Sequence, residues 1–251
     1  MEEMLRLTGL FVAGAIAGFI NIMAGGGSTI TLPMLILFGL DSALANGTNR
    51  IAVFIQNMAA IVSFRQEKFA QFKLSAKLSL CTLPGAILGA IIAVKIGNEL
   101  FQKILGIVMI GIMITILLPQ SKRTRNDYFG DDSFNPWLLY PAMLGIGFYG
   151  GFIQAGVGFL IMAALVHLMQ LDLIRVNMHK VFIVFMFTLP AIIIFIATGN
   201  VKWGYAIVLS SGNAVGGWWS AKVSVKKGEK VIRTFLLIAI LLMAMKLLKI
   251  F

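Results

Sequence analysis

Cysteine occurs once in the 251 residues, at Cys81 inside an apolar run, so neither a disulfide framework nor a thiolate metal site can form within one chain. It reads as a small packing residue. Acids are also scarce, and all ten (Glu2, Glu3, Asp41, Glu67, Glu99, Asp127, Asp131, Asp132, Asp172 and Glu229) lie at a terminus or in a break between apolar runs. The cost of a carboxylate in hydrocarbon would confine them there. With no acid in the middle of an apolar run, no His-Glu-x-x-His and no cysteine pair, the chain lacks the parts of a metal site or a general acid and base. An enzyme embedded in the membrane is therefore not expected, nor is a metal or organic cofactor.

What the chain has in excess is apolar side chains, 59% of the total against 12% charged, which is far beyond a soluble domain of this length. The expected fold class is an all-α polytopic membrane protein, multi-pass in a bacterial inner membrane or its equivalent. A net charge of +11 would point to nucleic acid in a soluble protein. Here the Lys and Arg residues flank apolar runs, so they orient the chain in a lipid bilayer, and no nucleic-acid partner is expected. The first run, from Leu5 to Met23, has the apolar character of a cleaved signal but has a counterpart later in the chain, so it reads as part of the mature protein.

That counterpart belongs to an internal repeat that holds one ungapped register throughout. Ala24, Gly25 and Gly27 fall on Ala155, Gly156 and Gly158, Leu40-Asp41 on Leu171-Asp172, Asn46 on Asn177, Phe54 on Phe185, Phe64 on Phe195 and Gly85 on Gly216. Duplicated apolar chains with glycine-interrupted segments at matching positions are typical of secondary transporters, whose cargo sits where the halves meet. The domains expected are a first transmembrane repeat over 1–120, a polar connection over 121–135 and a second repeat over 136–251. Apolar runs near 5–23, 29–40, 46–64, 74–94, 100–118, 137–154, 160–171, 177–197, 204–221 and 231–250 give eight to ten membrane segments, according to whether the short runs 29–40 and 160–171 cross. Counting both as crossings, with the N-terminus outside, puts about two-thirds of the Lys and Arg on the inner side and makes the repeats inverted. Without them the charges divide almost evenly.

Candidate site residues cluster at the two breaks. Unpaired backbone at Gly25, Gly26, Gly27 and Ser28, and at Gly156 and Gly158, is tolerable only inside protein or against a water-filled cavity, so both breaks are expected to face inward. Asn21 and Gln154 close the preceding runs, where facing lipid would be costly. After each short run a polar stretch, Asn46-Gly47-Thr48-Asn49-Arg50 or Asn177-Met178-His179-Lys180, is expected to open a helix with a base in its first turn. A helix N-terminus beside a base favours an anion. Snorkelling of Arg50 and Lys180 to an interface, and plain helix capping by Asn46, Thr48 and Asn49, are the alternatives. His179 is the side chain placed to relay a proton if transport is proton-coupled, whereas His167 reads as a structural hydrogen-bonding residue. Small residues at Gly85, Gly89, Gly212, Gly216 and Ser220 suit close helix packing within a protomer or the seam of a homodimer.

The run Gly18 to Ser28, followed by Leu32-Pro33-Met34-Leu35 and Ala45-Asn46-Gly47-Thr48-Asn49, resembles the sulfite exporter TauE/SafE family. Its glycine-rich stretch maps onto Gly25 to Gly27 and its Gly-Thr element onto Gly47 and Thr48. The second half departs from the pattern, with Asn177-Met178-His179-Lys180 in place of a Gly-Thr element and no proline after Gly158. The resemblance implies a membrane carrier that exports sulfite or an organosulfonate such as sulfoacetate. A passive anion channel, or a carrier of another small organic anion on the same scaffold, is the competing expectation.

Overall fold

The computed structural model describes residues 2–69, 72–117 and 136–228, together with 231 and 234. Over these it is all-helical, with α1 Glu2–Ala24, α2 Ser28–Leu37, α3 Ser42–Gln66, α4 Phe72–Lys95, α5 Asn98–Leu117, α6 Pro136–Phe152, α7 Val157–Met169, α8 Leu173–Ala197 and α9 Trp203–Lys227. The expected connection over 121–135 and most of the last apolar run, 231–250, lie outside the described residues.

Length and composition make three of these helices able to cross a membrane: Glu3–Ala24, Phe72–Lys95 and Leu173–Ala197. α3 and α9 are as long, at 25 residues each, but their buried faces are rich in polar residues. Apolar side chains such as Leu80, Ile107, Ile193 and Ile207 stand exposed, as they would against lipid.

Glycine dictates which helices meet. Gly14 and Gly18 admit the backbone of α9 at Leu209 and Asn213, and Gly212 and Gly216 admit α1 at Phe11 and Ala15. The α4–α6 seam has the same character, with Gly85 and Gly89 against Leu144 and Phe148, and Gly147 and Gly151 against Thr82 and Ala86. Ser220 extends the first seam by donating to the Phe19 carbonyl at 2.8 Å. The predicted small-residue faces are thus taken up inside the protomer, so a dimer would use some other surface.

These contacts also fix helix directions. α1 and α9 are parallel, because Gly14 meets Leu209 while Phe19 meets Ser220. α3 runs the same way as α9, from Thr48 beside Lys202 to Ser63 beside Trp218. α4 and α6 are likewise parallel, from Thr82 against Gly147 to Gly89 against Phe152. α3 and α8 are antiparallel: Gly47 lies against Phe195, and the Phe54 and Phe185 rings stack at 4.7 Å. Both bounds of α3 fall on those of α8 in the register of the repeat, Ser42 on Leu173 and Gln66 on Ala197.

Candidate functional site

Two helix interruptions meet at the centre of the fold. α1 ends at Ala24, Gly25 turns with φ of 88°, and α2 begins at Ser28; α6 ends at Phe152, Gln154 and Gly156 adopt φ of 65° and 72°, and α7 begins at Val157. The interruptions touch backbone to backbone, since a Cβ on Gly25 would lie 2.4 Å from the Gly158 carbonyl carbon and one on Gly158 would lie 2.4 Å from the Gly25 Cα. Only glycine permits that approach with the left-handed turn at Gly25. Both breaks face inward, against each other.

Beside this contact lies a small cavity lined by Asn21, Ser28, Val53, Asn57, Gln154, Val157, Gly158, Lys180 and Val184. It has room for roughly one water molecule. The first residues of both short helices, Ser28 of α2 and Val157 of α7, are on its wall, so two positive dipole ends meet there. Asn21 fixes the first break by accepting from the Gly27 N–H at 3.3 Å. The Gln154 amide donates to Thr188 Oγ1 at 3.0 Å, which leaves its own Oε1 buried without a partner.

The two central bases are fully buried, and no carboxylate among the described residues is buried with them. Their counter-charges are the carbonyl ends of the interrupted helices. Arg50 Nη1 donates to Gly150 O at 3.0 Å and Nη2 to Gly151 O at 2.5 Å and Phe152 O at 3.2 Å, with the guanidinium over the Phe195 ring. Asn46, one turn earlier, also donates to Phe152 O, at 2.7 Å. In the other half Lys180 Nζ donates to Ile22 O at 2.7 Å and Asn177 Oδ1 at 2.8 Å, and lies 3.5 Å from Met162 Sδ. Each half therefore closes the carbonyl end of the other half's interrupted helix, where a cation is favoured.

Of the residues singled out in the sequence, Asn21, Ser28, Gln154, Gly158 and Lys180 line the cavity. Gly25, Gly26, Gly27 and Gly156 form the adjoining turns, and Asn46, Arg50 and Asn177 belong to the caps. Thr48 holds the chain after α8, accepting from the Lys202 N–H at 2.9 Å, and Asn49 accepts from Thr31 Oγ1 at 2.6 Å. His179 is buried off the lining, its Nδ1 2.7 Å from Ser75 Oγ, and His167 is exposed on α7. Asn57 joins the lining although polarity within a span reads equally as interhelical glue; Val53 and Val184 carry no signal that apolar packing would not also give.

The expectation that the bases sit in first turns does not hold. Asp41 and Asp172 are the N-cap positions, so α3 and α8 begin at Ser42 and Leu173, and Arg50 and Lys180 lie about two turns in. The positive ends at the cavity are those of α2 and α7 instead.

The sequence profile of the sulfite exporter TauE/SafE family matches residues 10–247. A probable membrane transporter protein, ORF9, of Sinorhizobium sp is 28% identical over 240 residues, covering 95% of this chain and 91% of its own. The probable membrane transporter protein YfcA of Escherichia coli K12 is 28% identical over 255 residues (99% and 91%), and one from Haemophilus influenzae is 26% identical over 244 residues (94% and 92%). No solved structure matches the chain.

Proposed function

The chain belongs to the sulfite exporter TauE/SafE family of membrane transporters, and from that premise we propose that it is a secondary carrier exporting a small sulfur-containing anion, sulfite or an organosulfonate such as sulfoacetate. It is a multi-pass membrane protein and a transporter rather than an enzyme.

The sulfur chemistry is taken from the family; the observation that supports an anion is the cavity where the two interruptions touch, with Lys180 on its wall and two helix N-termini facing it. Two buried bases with no buried acid among the described residues leave the region net positive, which suits an anion and penalises a cation. The antiparallel course of α3 and α8, equal in length and matched end to end by the repeat, supports a reading of two inverted repeats with the cargo between them. Alternating access then rocks one half against the other about the Gly25–Gly158 contact. Opening on either side must widen the cavity, which is closed to all but a water-sized guest.

The test is thermal stabilisation of the purified protein by sulfite, sulfate, thiosulfate, sulfoacetate, taurine and matched carboxylates, because a ligand of the folded state raises its stability. Selective stabilisation by sulfite or a sulfonate, lost in Lys180→Met, is the expected result. Proteoliposomes loaded with the stabilising anion should show counterflow; flux without counterflow would identify a channel, and stabilisation by carboxylates alone another cargo.

A further inference from the structure

The lining offers more than positive charge. Lys180 is its single formal cation, since Arg50 is turned onto the α6 carbonyls outside it. Ser28 and Asn57 are neutral. Gln154 lines the cavity and is 1% exposed; one of its two amide N–H groups is committed to Thr188, and its carbonyl oxygen is buried without a partner. Its backbone is held in the left-handed region, at φ of 65°, which few residues other than glycine adopt. Such strain persists where the surroundings over-determine it, and here the same residue's amide is held by Thr188 of α8.

A buried acceptor without a donor costs free energy until something supplies the hydrogen. A fully deprotonated oxyanion makes this worse, because its oxygens meet a carbonyl oxygen. An anion with one charge and one O–H does the opposite: its charged oxygens face Lys180 and the two helix N-termini, and its O–H donates to Gln154 Oε1. We infer that this cavity selects a singly charged oxyanion that carries its own hydrogen-bond donor, with Gln154 as the specificity-determining residue. The inference rests on the anion site proposed above and, of the cargoes named there, favours hydrogen sulfite over a sulfonate group, which has no O–H to donate. A proton crossing with such a cargo travels on the anion itself, and His179, hydrogen-bonded to Ser75 off the lining, is not needed to carry it.

Two near-isosteric probes separate charge from donor: methanesulfonate, a monoanion with no O–H, and methylphosphonate at a pH where it is a monoanion with one. Affinities are read from ligand titrations of thermal stability with the wild type and with Gln154→Met, which keeps the side-chain length and removes the acceptor. The wild type is expected to prefer the hydrogen-bearing phosphonate by about tenfold, the size of one hydrogen bond to a charged partner, and Gln154→Met to lose most of that preference. Should Gln154→Met not fold, Thr188→Val frees the amide to rotate its N–H into the cavity and is expected to narrow the preference. Equal wild-type affinities, or a preference unchanged in the variants, overturn the role of Gln154 while leaving an anion site in place. A wild type that responds to no monoanion overturns the anion site and this inference together.

Discussion

Arg50 and Lys180 perform one task in the two halves with different chemistry. Each reaches across to the carbonyl end of the other half's interrupted helix, α6 for Arg50 and α1 for Lys180. The guanidinium fork meets three carbonyls, and a ring covers its face, so the charge is consumed by structure. The ammonium is a compact point charge that meets one carbonyl, one amide oxygen and, at 3.5 Å, the Met162 sulfur, and it belongs to a residue on the cavity wall. Two bases that fall one position out of register between the repeats are thus divided into a clamp and a charge on the cavity wall, which makes the recognition proposed above asymmetric.

The largest effect is expected where the two halves touch. Gly158→Ala drives a methyl into the Gly25 backbone, and Gly25→Ala adds a left-handed penalty to the same clash, together about 3 kcal/mol or more. Both variants should give little monodisperse protein on size exclusion in detergent. Folded yield like that of the wild type would mean that the interruptions separate easily, and the clamp would then have no fixed partner to hold.

Next comes the clamp. Arg50→Met takes the donor from the Gly150 and Gly151 carbonyls, while Phe152 O keeps that of Asn46; the loss is about 3 kcal/mol and the cavity lining is untouched. A marked fall in melting temperature with normal anion stabilisation of the surviving folded protein is expected. Arg50→Lys should recover only part, since an ammonium cannot fork. Lys180→Met reverses the pattern: about 1–2 kcal/mol of stability is lost with its hydrogen bonds, and anion stabilisation disappears. If both variants lost binding equally, the division of labour between the halves would be wrong.

The sequence makes much of this legible and hides a definite part. The constant register of the repeat locates the interruptions and predicts that both face inward, because unpaired backbone in a membrane has nowhere else to go. It places Asn21, Ser28, Gln154, Gly158 and Lys180 among the candidates, and these are on the cavity wall. It does not separate Arg50 from Lys180, because what distinguishes them is which carbonyls lie within reach, a property of helices far apart in the chain. Polar side chains at Asn46 and Asn177 look like helix starts, whereas each helix begins about one turn earlier, α8 at the local cap Asp172 and α3 at a contact with Asn98 of α5. Gln154 is visible as a polar residue at a run's end, but its bare oxygen depends on Thr188, which lies on α8.

The smallest effect tests how far the halves agree at their helix starts. Asp41 and Asp172 are repeat-equivalent N-cap residues, but only Asp172 caps with its side chain, accepting from Ile174 N at 3.1 Å and Arg175 N at 2.9 Å. At the start of α3 the Ser42 N–H instead donates to Asn98 Oδ1 at 2.8 Å, so the cap is supplied from α5. Asp172→Ala should therefore cost about 1 kcal/mol and speed amide exchange at Ile174 and Arg175. In the first half the comparable loss should follow Asn98→Ala, while Asp41→Ala, whose carboxylate has only a 3.5 Å contact with Asn98, should change little. Amide exchange at Ser42 distinguishes the two: faster exchange in Asn98→Ala but not in Asp41→Ala means that one repeat caps its helix locally and the other by packing, whereas equal acceleration would restore the symmetry that the sequence alone suggests.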